Sequence, residues 1–171
     1  MKYTIVILLF LSTLFSSQYK IDNGKGYYKS KSGKFSLEIE YLKKSDEFKF
    51  SLIGKTDGWI SIGFGQERKM KDGEIYIGFV KDGKVYFEHH YGTSSVSHKK
   101  IKDFNNFKVL EFEKKDKFTK IVFKRSASNY DKDFQKKLKS GDEINFMYAI
   151  GRKPNFRLIH SERGSEKIKL P

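Results

Sequence analysis

Phe35-Ser36-Leu37-Glu38-Ile39-Glu40-Tyr41 alternates apolar and polar residues without a break, and this stretch decides the fold. A period of two marks a half-buried strand, because successive side chains point to opposite faces. The alternation resumes at Phe48, Phe50 and Leu52 around Lys49 and Ser51, then at Gly58-Trp59-Ile60-Ser61-Ile62-Gly63-Phe64-Gly65. In that third segment Ile60, Ile62 and Phe64 share one face, and Trp59, Ser61 and Gly63 the other. Further strands are expected at Glu74 to Val80, Lys84 to Tyr91, Phe107 to Glu113, Phe118 to Lys124, Glu143 to Ile150 and Phe156 to His160. Asp82-Gly83 suits a tight hairpin between the first two of these. Asp131 to Leu138 is left for a short helix or an irregular loop. About nine short strands without helical crossovers predict an all-β fold, an immunoglobulin-like antiparallel β-sandwich.

The 171 residues suffice for one domain, expected over residues 19–171. Residues 1–18 read as a secretory signal peptide. Lys2 supplies a positive start, Ile5 to Phe15 is an apolar run interrupted only by Ser12 and Thr13, and Ser16-Ser17-Gln18 offers a cleavage region. That run is shorter than the roughly 20 residues a membrane span needs. No later segment is apolar enough to cross a bilayer, and the closing Lys167-Ile168-Lys169-Leu170-Pro171 lacks the tail of a GPI signal. The expectation is a protein secreted to the exterior or the secretory-pathway lumen, with no transmembrane segment after cleavage. The chain has no cysteine, which excludes disulfides, iron–sulfur clusters and thiol catalysis. No Asn-x-Ser/Thr acceptor site occurs.

A formal net charge of +14 raises the question of nucleic acid, since phosphate binding leaves a footprint of clustered Lys and Arg. Here the lysines are spread over every expected turn and strand face, and the aromatics keep strand register instead of forming a stacking motif. Nucleic acid is therefore not the expected partner. A positive surface also suits acidic polysaccharides, anionic membranes or an acidic redox partner.

Ser61, Gly63 and Gly65 leave one face of the third strand almost without bulk, so a flat group or another backbone can approach. The polar loop Gln66 to Gly73 follows, with Met70 as its one apolar residue. The bland readings are a close sheet contact and a partly exposed methionine. The sharper one is a thioether ligand for haem iron, on a loop at the sandwich end. His89 and His90 are adjacent on one strand and point to opposite faces, so they read as one core and one surface histidine rather than a chelating pair. His98 lies in a Ser/Thr/Lys-rich segment and reads as solvated, which leaves no histidine zinc site. Asp72 and Glu74 are candidates for a hard cation. No nucleophile–base constellation is evident, so an enzyme with catalytic residues of its own is not expected.

Gly58 to Gly65 with Met70-Lys71-Asp72-Gly73-Glu74, Phe123-Lys124-Arg125, Asp131 and Asp133 before Leu138, Tyr148-Ala149-Ile150-Gly151, and His160 with Arg163-Gly164 together resemble the DOMON domains. The resemblance spans roughly Phe35 to Leu170. It implies a sandwich that binds b-type haem or a sugar-like ligand. In the haem-binding branch a methionine after the Gly-Trp strand and a histidine near the C-terminus hold the iron, and by motif position these match Met70 and His160. Arg152, Lys153, Arg157 or Arg163 would then neutralise haem propionates, and Trp59 and Phe156 would line the pocket. Met/His ligation leaves no open site for oxygen and raises the reduction potential, so the resemblance implies one-electron transfer with a separate redox partner protein or small redox molecule. The alternative it leaves open is a carbohydrate- or small-ligand-binding module without haem.

Overall fold

The computed structural model describes residues 19–102 and 106–171; the expected signal peptide lies outside them. Among the described residues the first sheet contains β1 (Tyr19–Asp22), β2 (Lys25–Lys29), β3 (Phe35–Leu42), β4 (Glu47–Lys55), β9 (Phe107–Lys115) and β10 (Phe118–Ser126). The second contains β5 (Ile60–Phe64), β6 (Glu74–Lys81), β7 (Lys84–Gly92), β8 (His98–Lys100), β11 (Glu143–Gly151) and β12 (His160–Lys169). Their orders are β1-β2-β3-β4-β10-β9 and β12-β11-β5-β6-β7-β8. Every pair is antiparallel. The expected all-β sandwich is found, with twelve strands instead of about nine. No helix among the described residues is long and apolar enough to cross a membrane.

The alternation read from the sequence builds the core. Register sets Leu37 opposite Leu52, Ile39 opposite Phe50 and Tyr41 opposite Phe48, so the apolar side chains of β3 and β4 fall on one face. They meet Ile60, Ile62, Phe64, Phe123 and Phe146 between the sheets. Phe50 lies 5.2 Å from Phe64 and 5.0 Å from Phe123, centroid to centroid.

Four strands went unread: β1, β2, β8 and β12. β1 and β2 form a hairpin through Asn23-Gly24, whose φ values of 49° and 73° are those of the mirror-image turn that Asn-Gly favours. β8 is only three residues long. At the other end of the chain, the strand expected at Phe156 to His160 is instead a loop running into β12. That strand begins at His160 and runs through Ser-Glu-Arg-Gly-Ser-Glu-Lys. Its polar sequence suits an edge strand, where charges discourage pairing with another chain. Asp131 to Leu138 is an irregular loop.

Candidate functional site

The central strand β5 is buried along its whole length. Its inner face joins the main core, and its outer face joins a second apolar layer. Register aligns Ala149, Ser61, Ile77 and Glu88 in one row across the outer face, and Met147, Gly63, Ile75 and His90 in the next. Trp59, Ile77 and Phe79 form a buried cluster there, packed against Ala149 and Phe156. Phe156 comes from the loop 152–159, which folds over this face with the Phe156 ring 4.8 Å from Phe79. Trp59 anchors the same loop, donating its indole N–H to the Leu158 carbonyl at 3.3 Å. The Gly151 N–H donates to the Trp59 carbonyl at 2.7 Å, and the Thr56 hydroxyl donates to the Gly151 carbonyl. Cofactor sites are lined predominantly by apolar and aromatic side chains, and this face with its covering loop supplies such a lining. In the structure described, Phe156 and Met147 lie on that face, Met147 reaching across Gly63.

Met70 and His160 stand at opposite ends of this face. Met70 follows β5, and its carbonyl accepts from the Gly73 N–H at 3.0 Å. The same carbonyl packs against Gly92 so closely that a side chain at 92 would run into it. His160 opens β12 opposite Gly151, level with Trp59. The two are separated along the strand direction by on the order of 20 Å, at about 3.3 Å per residue. The structure thus brings Trp59, Phe156 and the loop leading into His160 together, but it does not bring Met70 to His160. Their donor chemistry suits haem iron; as arranged they form no common ligand set.

Arg163 does adjoin His160, donating from Nη1 to Nε2 at 3.4 Å. Partial burial, and then the Arg163 charge, lower the His160 pKa, which favours the neutral ring that ligates metals. Arg152, Lys153 and Arg157 are exposed on the same loop.

The carboxylates have other partners. Glu74 is wholly buried and pairs with Arg125 at 2.9 Å. It also accepts from the Tyr76 hydroxyl at 2.5 Å, the Gln135 amide at 3.1 Å and the Lys136 N–H at 2.9 Å. Burial opposes its ionisation, but Arg125, His89 and Tyr76 outweigh that and hold its pKa below the ordinary value. Asp72 accepts from the Tyr91 hydroxyl at 2.6 Å and neighbours Lys71 at 3.4 Å. Glu74 is thus a structural ion, not a cation ligand. Sequence reading missed the network because its members are scattered along the chain and single charges read as surface.

The histidines also differ from expectation. His89 and His90 do face opposite ways, yet both are buried. His89 stacks on Tyr76 with centroids 4.6 Å apart. His98 is half-buried and contacts His90. Only the β7–β8 register creates that contact, so the sequence alone carried no signal for it.

A family model described as "DOMON domain" matches residues 31–151. Among solved structures, the chain is similar to the cytochrome b domain of pyranose dehydrogenase from Coprinopsis cinerea, with TM-score 0.70 and 14% identity over 90% of this chain and 87% of that one. It is also similar to the cytochrome domain of Myriococcum thermophilum cellobiose dehydrogenase, with TM-score 0.64 and 10% identity over 88% and 90%. At these identities the likeness is one of fold. No curated protein matches the chain.

Proposed function

The chain belongs to the DOMON domain family, and from that premise we propose that it is a secreted haem b-binding domain that carries or relays one electron. The observation that carries this reading is the apolar outer face around Trp59, Ile77, Phe79 and Ala149, covered by the Phe156 loop that leads into His160. That two of the structural neighbours are cytochrome domains adds support. Met70 and His160 would hold the iron, with Trp59 as a wall and Arg163 as a partner for a propionate. Because those ligands stand at opposite ends of the face, the proposal requires the 152–159 and 65–73 loops to approach one another when haem binds. The haem itself would supply a reversible one-electron couple, and Met/His ligation would set it towards higher potential. The protein's part is to exclude water with Trp59 and Phe156 and to keep His160 neutral. A separate redox partner protein or a small redox molecule would exchange the electron.

Reversible reduction by dithionite and reoxidation of the haem-loaded protein, followed in the visible spectrum, tests the carrier role. A spectrum that does not cycle would contradict it.

A second reading, a carbohydrate-binding module, has an observation of its own. A groove of about 470 Å³ on the first sheet is lined by Lys20, Asp22, Tyr27, Ser36, Glu38 and Ile53, among others. An aromatic ring among polar groups suits a sugar face. Glycan binding by colourless protein, lost in Tyr27→Ala, would favour this reading over haem.

A further inference from the structure

The outer face of β7 and β8 carries two imidazoles that the haem reading does not use. β8 pairs with β7 in the register Gly92↔His98 and His90↔Lys100, so His90 and His98 are diagonal neighbours across the hairpin. Their Nδ1 atoms stand 2.8 Å apart, with the ring planes 64° from parallel. Glu88, two residues before His90, contacts His90 Nε2 at 2.8 Å. Its other oxygen accepts from Lys100 Nζ at 2.7 Å.

These contacts fix the tautomer. An ionised carboxylate only accepts, so the His90 proton sits on Nε2 and the lone pair of Nδ1 faces His98. Burial opposes ionisation of Glu88, but its bonds to Lys100 and His90 outweigh that and hold its carboxyl below the usual range. Desolvation lowers the pKa of both His90 and His98, which favours the neutral ring that binds metals. Neutral imidazoles whose nitrogens converge, one of them held from behind by a carboxylate, are the arrangement in which histidines take a metal.

We propose that His90 Nδ1 and His98 Nδ1 bind a divalent transition-metal ion, Cu(II) first among them, with Glu88 as the residue that orients His90. The donors select the class of ion: imidazole nitrogens suit Cu, Ni and Zn, and at a given nitrogen site Cu(II) binds most tightly of the divalent first-row ions. Among the described residues no group of three His, Cys, Asp or Glu is arranged to hold a metal ion together, so with two imidazoles as the protein ligands water completes the coordination sphere. His98 is half-buried, which leaves an approach for the ion. When the ion enters, the proton that bridges the two Nδ1 atoms moves to His98 Nε2, and the pair stays neutral.

The test is titration of tag-free, haem-free protein with Cu(II), read by electron paramagnetic resonance and by thermal melting. One ion per chain is expected, with hyperfine structure from two imidazole nitrogens and a raised melting temperature. His98→Gln, on a three-residue edge strand, should lose the two-nitrogen signal and the thermal shift. Glu88→Gln should keep the signal but bind about 10- to 100-fold more weakly, as loss of an orienting carboxylate typically costs. A two-nitrogen signal undiminished in His98→Gln, or wild-type protein that takes up no Cu(II) at micromolar concentration, overturns the proposal. Metal-free melts of each variant separate a lost ligand from a lost fold.

Discussion

The Trp59 indole N–H donates to the Leu158 carbonyl at 3.3 Å, which ties the loop before His160 to the residue that precedes β5. That single bond and the Phe156–Phe79 packing hold the cover of the outer face. Trp59→Phe removes the donor and one of the two fused rings, leaving the carbonyl to water and a void in the Trp59–Ile77–Phe79 cluster. The hydrogen bond accounts for about 0.5–1.5 kcal/mol of the expected loss and the void adds to it, in urea unfolding followed by circular dichroism, with faster amide exchange in residues 156–160. Unchanged exchange there would show that the bond does not hold the loop.

Glu74 and Arg125 form an ion pair in which neither side chain has exposed surface. Arg125→Met removes one partner and strands a carboxylate in the core, which typically costs about 3–5 kcal/mol. Adding Glu74→Gln removes the stranded charge, so the double variant should lose less than the two single losses summed. Additive losses in denaturant unfolding would argue that the two residues act independently.

Gly92 is the residue on which the Met70 loop rests, and any side chain there meets the Met70 carbonyl. Gly92→Ala forces that loop away from β7, at a cost of about 1–3 kcal/mol by the measure of overpacked sites. If Met70 is an iron ligand, the same variant should also weaken haem binding. A variant as stable as wild type would mean that the loop yields freely.

How much of this was legible in the sequence follows from what each feature depends on. β3, β4 and β5 announce themselves because their alternation is strict and their apolar residues are large. The β1–β2 hairpin had a signal in Asn23-Gly24, overlooked because its flanks carry few core residues. β12 lacks the alternation altogether, since an edge strand has little to bury. Trp59 could be placed on the face opposite Ile60 by parity alone, and it lies there. The meeting of His90 with His98, and of Glu74 with Arg125, depends on register and on sheet packing, neither of which local pattern fixes. The distance between Met70 and His160 is of the same kind.

Stability should depend on pH in a defined window. His90, His98 and His160 all have lowered pKa values, burial being the first cause in each. The unfolded chain then binds more protons than the folded one as pH falls below about 6.5, so stability present above that value is lost on the way down. Urea midpoints should fall from pH 7 to pH 5, and less steeply in His98→Gln. A midpoint that stays level over this interval contradicts the burial of these rings.

The most direct measurement is a haem titration of the purified protein, followed in the visible spectrum, for wild type, Met70→Ala and His160→Ala. The account predicts saturation at one haem per chain, with the low-spin Soret and α-bands of six-coordinate iron in wild type and their loss or conversion to high-spin form in each variant. A wild-type protein that stays colourless, or bands unchanged by both substitutions, would contradict it.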